Sequence, residues 1–174
     1  MYTLLPAGRD LVDRLTMPNT VIETPLGPLG LRWTGEALTG VDLEPDPGAA
    51  AVDPASPADP PPSVAQQLAR YFADGSAAFD LPLALRGTPF QQRVWAAIRA
   101  IPAGRTRTYG DLAREVGSAA RAVGQACRAN PCPIVVPCHR VVAAGGLGGF
   151  SGDLGGRRLA IKRWLLRHEG VPVG

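Results

Sequence analysis

Thr108-Tyr109-Gly110-Asp111-Leu112-Ala113-Arg114-Glu115-Val116-Gly117-Ser118-Ala119-Ala120-Arg121-Ala122-Val123-Gly124-Gln125-Ala126-Cys127-Arg128-Ala129 is the stretch that decides the fold. Thr108 is placed to cap a helix over about 109–116, which stops at Gly117. Ser118 is expected to cap a second helix over about 119–129. That helix ends before Pro131, because a residue preceding proline avoids helical geometry. Two short helices joined by a tight glycine-containing turn in a basic segment form the pattern of a helix-turn-helix, which αα-hairpins of other function share. Arg121 falls in the first turn of the second helix, where a cation opposes the helix dipole by about 0.3–1 kcal/mol. It is either a solvated surface arginine or a residue aimed at a polyanion from the helix end.

Upstream, Gly87-Thr88-Pro89-Phe90-Gln91 reads as a helix start. Thr88 is the cap, Pro89 occupies the first helical position and Gln91 completes a capping box. Phe90, Val94, Trp95, Ile98 and Ile101 share one helical stripe, and Pro102-Ala103-Gly104 ends it. Downstream, Ile134-Val135-Val136 reads as a buried strand that delivers the chain into Pro137-Cys138-His139-Arg140-Val141-Val142. Residues 143–156 hold seven glycines but no phosphate-loop signature. A last helix carries Leu159, Ile161, Trp164, Leu165 and His168, and Gly170 closes it.

The first half differs in character. Strands are expected over 20–24, 29–34 and 38–43, with Pro25-Leu26-Gly27-Pro28 as a turn. Residues 45–62 carry 7 of the 18 prolines and read as a surface loop. Ser63 is placed to cap a helix to about Asp74, with Val64, Leu68, Tyr71 and Phe72 on one side, and 79–85 reads as a further strand. The chain therefore divides at Gly87 into an α/β unit, 1–86, and a mostly helical unit, 87–174.

Charge divides at the same point. Residues 1–86 carry 5 Arg against 11 Asp and Glu; residues 87–174 carry 13 Arg and Lys against 4 Asp and Glu. A basic half suggests a polyanionic partner. No apolar run approaches the roughly 18–20 residues that a bilayer span needs, and no signal-peptide pattern opens the chain. Three cysteines, an odd number, argue against a disulfide framework and for a reducing, cytoplasmic setting.

Cys138 is the candidate nucleophile. A thiolate is strongly nucleophilic, and a nearby imidazole lowers a thiol's pKa. Adjacent residues do not face each other in regular structure, so a sharp turn or a bridging water must connect Cys138 with His139. Glu169 is the carboxylate placed to orient His139. The competing reading makes Cys138 a small buried hydrophobe and His139 a satisfied core histidine. Cys127, Cys132 and Cys138 lack the CxxC spacing of structural zinc, so no metal is expected.

Pro137-Cys138-His139-Arg140-Val141 resembles the active-site signature of the O6-alkylguanine-DNA alkyltransferase family. The stretch Gly87–Trp95, Ile101-Pro102-Ala103-Gly104, Thr108–Ala113, Arg121-Ala122-Val123-Gly124, Asn130-Pro131 and Phe150-Ser151-Gly152 follow in the family's order. The resemblance covers about residues 87–170; in the first half, only Thr24–Leu29 resembles the family. It implies a ribonuclease H-like sheet domain followed by a winged-helix-like domain with the helix-turn-helix. It implies that Cys138 accepts an alkyl group irreversibly from O6-alkylguanine in double-stranded DNA, once per molecule, with O4-alkylthymine as a second candidate substrate. His139 and a water would draw off the thiol proton, with Glu169 behind His139. Tyr109 would protonate the departing guanine, Asn130 would brace the active-site turn, and Arg121 would fill the gap left by the flipped base. Thr108, Ala122, Gly124, Gln125, Arg128 and Ser151 would meet DNA. Pro133, Val141, Ser151 and Gly152 would form the base pocket. No cofactor is implied, and the protein would act as a monomer, with or without clustering along DNA. The turn before Arg121 is shorter than the commonest family form, and Asp153 replaces a glycine often found near the pocket rim. The alternatives are a non-enzymatic alkylated-DNA-binding protein, which needs an inert thiol, and a thiol hydrolase, for which no oxyanion-hole motif is evident.

Overall fold

The computed structural model describes residues 20–45, 59–151 and 156–173. Most of the proline-rich segment, residues 1–19, Gly152 and Asp153 lie outside the described residues.

Three strands open the described chain: β1 (Thr20–Thr24), β2 (Gly27–Thr34) and β3 (Ala37–Asp42). They form an antiparallel meander in the order β1-β2-β3. The expected four-residue turn is tighter than the sequence suggested. Thr24 pairs with Gly27, and only Pro25 and Leu26 lie between them. The Thr24 hydroxyl closes this turn by donating to the Gly27 carbonyl at 2.7 Å. Leu29, Leu31 and Trp33 alternate along β2 and point into the core.

The expected strand over 79–85 is absent; an isolated parallel bridge joins Leu38 to Leu83. Leu38 donates to the Pro82 carbonyl and Ala84 donates to the Leu38 carbonyl. Pro82 has no N–H, so the ladder cannot continue through it. Helix α1 (Pro62–Ala73) buries Val64, Leu68 and Tyr71. Its cap is Pro61, without a side-chain bond, and not Ser63. Pro62 takes the first helical turn, where its missing donor is harmless and its fixed φ suits the helix.

The second half begins as the sequence implies. Helix α2 (Pro89–Arg99) carries the full Thr88–Gln91 capping box. Strand β4 (Arg107–Thr108) leads into α3 (Tyr109–Val116), capped by a second box between Thr108 and Asp111. Gly117 adopts φ +66°, and the Ser118 N–H reaches back to the Ala113 carbonyl at 2.8 Å. This Schellman closure commits Ser118 to finishing α3. Helix α4 (Ala120–Arg128) therefore starts from Ala119 without a side-chain cap, correcting the expected Ser118 cap. The helix-turn-helix is present as α3 and α4. Trp95 on α2 ties to α4 by donating Nε1–H to the Ala126 carbonyl at 2.9 Å. A short strand β5 (Val141–Val142) pairs in parallel with β4, which the sequence did not suggest. Helix α5 (Gly156–His168) closes the chain. None of the described helices is long and apolar enough to cross a membrane.

Helix α1 and helix α5 meet closely. The His168 Nε2–H donates to the Tyr71 carbonyl at 2.7 Å, and Trp164 stacks on His168. Gly75 is buried at this contact, and a Cβ there would collide with the His168 backbone carbonyl. Backbone cannot yield as a flexible side chain can. We predict that Gly75→Ala lowers unfolding stability by about 2 kcal/mol, read as a lower urea midpoint at unchanged slope.

Candidate active site

The segment between α4 and β5 is buried throughout from Cys132 to Val141. It is not the expected strand. The Val136 N–H closes a turn onto the Cys132 carbonyl at 2.9 Å, and Ile134 sits at φ +74° with its side chain fully buried. A β-branched residue in that region carries strain of about 1–3 kcal/mol. Asn130 holds the turn from inside. Its Nδ2 donates to the Val136 carbonyl at 2.8 Å, and its Oδ1 accepts from the Cys132 N–H at 3.0 Å. The first half braces it from outside: the Val41 N–H donates to the Pro131 carbonyl at 2.9 Å. Pro137, at φ −80° and ψ 64°, then makes an inverse γ-turn, with the Cys138 N–H bonded to the Val136 carbonyl. A single 3-10 turn (Cys138–Arg140) follows. This sharp turn keeps both Cys138 and His139 buried in one site.

Cys138 is 3% exposed, and its Sγ accepts from Asn130 Nδ2 at 3.2 Å. Burial pushes its thiol pKa up; the Asn130 donor and the Lys162 charge offset only part of that. His139 is fully buried, and burial holds it below the usual imidazole value, against the pull of Glu169. The resting pair is thus a neutral thiol beside a neutral imidazole. His139 Nε2 lies 2.7 Å from Glu169 Oε1. An ionised carboxylate only accepts, so Nε2 carries the hydrogen and Nδ1 the lone pair. Among the described residues, Nδ1 has no hydrogen-bond partner.

Glu169 has more partners than the sequence suggested. Arg140 Nε donates to Oε2 and Arg140 Nη2 to Oε1, each at 2.9 Å. The Tyr71 hydroxyl, from α1, also donates to Oε1, at 2.7 Å. Burial alone would raise the Glu169 carboxyl. The hydrogen bonds and charges of His139 and Arg140 together outweigh burial and hold it at about 2.

Lys162 is the third residue that sequence reasoning missed. It is fully buried and donates Nζ–H to the carbonyls of Val141 at 2.6 Å and Gly149 at 2.9 Å. Burial lowers its pKa to about 8, against the opposing influence of the Cys138 and Cys127 thiols. The Tyr109 hydroxyl donates to the same Gly149 carbonyl at 3.3 Å. Burial, with the nearby Cys127 and Cys138, raises the Tyr109 phenol, so it stays protonated at neutral pH. Lys162 is the chain's single lysine, and it falls on the stripe of Leu159 and Leu166. That placement was the available signal. Arg140 was in view within the motif but carried no assigned role, and Tyr71 read simply as part of an apolar stripe.

A cleft of about 410 Å³ lies between α4 and the glycine-rich loop. Tyr109, Gly124, Gln125, Cys127, Arg128 and Ser151 line it, together with Gly148, Gly149 and Phe150. Cys138 is not itself among the lining residues; it bears electrostatically on two that are, Tyr109 and Cys127. Arg121, Gln125 and Arg128 are exposed, Ala122 and Gly124 half-buried. Of the residues expected to form the base pocket, Ser151 lines this cleft. Pro133 and Val141 do not: both are buried off the cleft, and the Val141 carbonyl is taken by Lys162. Gly152 lies outside the described residues. Thr108 is committed to capping α3. Among the described residues, no cluster of three or more His, Cys, Asp or Glu could hold a metal.

Fold and site together define a class: a buried cysteine, followed in the chain by the histidine of a histidine–carboxylate pair, in a domain that also carries a helix-turn-helix. Residues 17–85 match the ribonuclease-like domain of 6-O-methylguanine DNA methyltransferase, and residues 89–171 match its DNA binding domain. The chain belongs to the 6-O-methylguanine DNA methyltransferase family. The methylated-DNA–protein-cysteine methyltransferase of Mycobacterium bovis is 42% identical over 158 residues, covering 81% of this chain and 88% of the relative. The protein of that name from Salmonella typhimurium is 52% identical over 114 residues, 63% of this chain and 64% of its own length. The Mycobacterium tuberculosis OGT structure in complex with DNA is similar at a TM-score of 0.72 and 41% identity, covering 87% of this chain and 92% of that one.

The paired carboxylate sets an acid limit. A carboxyl depressed in the fold stabilises it above its unfolded pKa, and that stability is lost as pH falls through the folded value. Stability should therefore drop as pH falls from about 4.5 to about 2. Glu169→Gln should be less stable at neutral pH and flatter across that window, as followed by urea unfolding.

Proposed function

We propose that this protein repairs alkylated DNA by direct reversal, taking the alkyl group from O6 of guanine onto Cys138 Sγ. The observation that carries the reading is two anchored neighbours in one buried turn, Cys138 held by Asn130 and His139 held by Glu169. Asn130 holds the sulfur at 3.2 Å, and Glu169 holds the imidazole at 2.7 Å, with Nδ1 free to take a proton.

The chemistry follows from these groups. The Cys138 proton passes to His139 Nδ1 through a water, and Glu169 stabilises the resulting imidazolium. The sulfur attacks the alkyl carbon as the carbon–O6 bond breaks, and the electron pair of that bond leaves on the guanine. Tyr109, protonated and fixed above the cleft, gives the guanine its proton. The product is a thioether, which water does not hydrolyse, so each molecule acts once. O4-alkylthymine is the second substrate that the same displacement admits. No step calls for a cofactor.

The alkyl carbon is inaccessible inside a stacked duplex, and extruding the base costs a few kcal/mol. Arg121, exposed in the first turn of α4, fills the gap and offsets part of that cost. Ala122, Gly124, Gln125 and Arg128 on α4 form the facing surface, with Thr108 and Ser151 at its margins. A Cβ at Gly124 would meet nothing within 4 Å, consistent with a face left open for a close partner. The arginines of residues 87–174 meet phosphates, and residues 1–86 form a supporting domain. The three free cysteines are all buried and suit a reducing cytosol.

Intact-protein mass after incubation with a duplex carrying O6-methylguanine should rise by one methyl group and stop, with peptide mapping placing it on Cys138. Cys138→Ala should bind that duplex and gain nothing. Full labelling of Cys138→Ala would remove the acceptor assignment; binding without labelling of the native protein would favour a lesion-binding protein. Arg121→Ala should slow transfer from duplex DNA by about tenfold or more, the weight of a few kcal/mol of extrusion. It should leave transfer from a free O6-alkylated guanine base nearly unchanged. Equal losses on both substrates would show that Arg121 acts on the fold and not on the flipped base.

A further inference from the structure

We propose that Tyr71 is a positioning residue of the transfer centre, through which the first half of the chain tunes the His139–Glu169 hydrogen bond. The inference rests on the alkyl-transfer reading for its rate measurement, and on geometry for the rest.

Tyr71 is fully buried on α1, and its hydroxyl donates to Glu169 Oε1 at 2.7 Å. That oxygen is the one that holds His139 Nε2, also at 2.7 Å, and it accepts from Arg140 Nη2 as well. A carboxylate oxygen offers about two lone-pair sites, so three donors divide its charge. Tyr71 thus competes with His139 for the same acceptor. The phenol cannot swing away, because its ring is packed against Phe72, Phe79 and His168, with centroids 5.1–5.6 Å apart. The hydroxyl is delivered from the first half of the chain into a site whose other groups all come from residues 109–169.

Loss of this hydroxyl has a defined sign. Glu169 Oε1 keeps two donors, so no acceptor is orphaned. The charge released strengthens the bond to the Nε2–H of His139 and favours the imidazolium. A larger fraction of His139 is then protonated in mildly acidic solution, and a protonated imidazole cannot take the Cys138 proton. The facing groups are few. Glu169 meets Tyr71 from α1 and His139 and Arg140 from the 3-10 turn. His139 is acted on by Glu169, Arg140 and Lys162. Tyr71 is acted on by Glu169 and Arg140, and its ring meets His168. The two cations are untouched by the substitution, so the change is assignable to the hydroxyl.

The test uses the full chain with Tyr71→Phe, which keeps the ring, and Tyr71→Met, which fills the space differently. Single-turnover transfer from an O6-methylguanine duplex is followed across pH, alongside nitrogen NMR titration of the histidines. Only His139 and His168 contribute. Both variants should move the acid limb of the rate to higher pH by about half a unit, a roughly threefold loss below the limb, with the neutral plateau kept. The His139 midpoint should move the same way. An unmoved limb and midpoint would overturn the proposal, as would a uniform loss at every pH, which marks packing alone. A native protein that transfers nothing would defeat the alkyl-transfer reading, while the His139 midpoint would still decide the role of Tyr71.

Discussion

A carboxylate taken out of water must be matched by donors, or it neutralises or unfolds its surroundings. Glu169 is that constraint here. Its side chain is inaccessible, and it is satisfied by His139, by the Nε–Nη2 edge of the Arg140 guanidinium and by Tyr71. These partners come from a 3-10 turn and from α1, while Glu169 itself follows α5. One anion therefore fixes three parts of the chain at once. The Gly75 contact with His168 and the His168 bond to the Tyr71 carbonyl align α1 with α5, so the donors arrive where the carboxylate needs them.

The reactive turn depends on this anchoring because it is locally unfavourable. Ile134 occupies a left-handed backbone that valine-like side chains avoid, and Pro137 bends the chain immediately before Cys138. Asn130 answers with three hydrogen bonds, one of them to the sulfur. A regular strand through 134–136 would send Cys138 and His139 to opposite faces. The strained turn keeps both inside a single site, with the sulfur toward Asn130 and the imidazole toward Glu169.

Legibility in the sequence followed the range of the interactions. The capping boxes at Thr88 and Thr108, the stop at Gly117 and the hairpin at Thr24 rest on residues three or four apart, and each was readable. Cys138, His139 and Glu169 were also readable, the first two from their adjacency and the third as the carboxylate expected to orient His139. Where a residue had two local options, the sequence was less informative. Ser118 could cap α4 or finish α3, and backbone closure of α3 took it. The run Ile134-Val135-Val136 has strand chemistry, yet side-chain bonds from Asn130 curl it into a turn. Contacts between distant segments left little trace. Tyr71 sits 98 residues from its partner and fits an apolar stripe on its own. Lys162 looks like a surface cation until the carbonyls of Val141 and Gly149 are seen to claim it.

Burial gives the site its selectivity. A thiol with its pKa raised and an imidazole with its pKa lowered form a neutral resting pair, so Cys138 offers little thiolate to stray electrophiles in solution. The proposed reaction requires a substrate that brings its alkyl carbon to the sulfur and a leaving group that can take a proton from Tyr109. Lys162 links these two ends. Its ammonium holds the Gly149 carbonyl that receives the Tyr109 hydroxyl, and the same ammonium bears on the Cys138 thiol. In the proposed mechanism, the proton donor for the leaving group and the charge that favours the nucleophile are thus set by one buried cation. A protein consumed in its only reaction gains from that coupling, since a thiol spent on the wrong electrophile is not recovered.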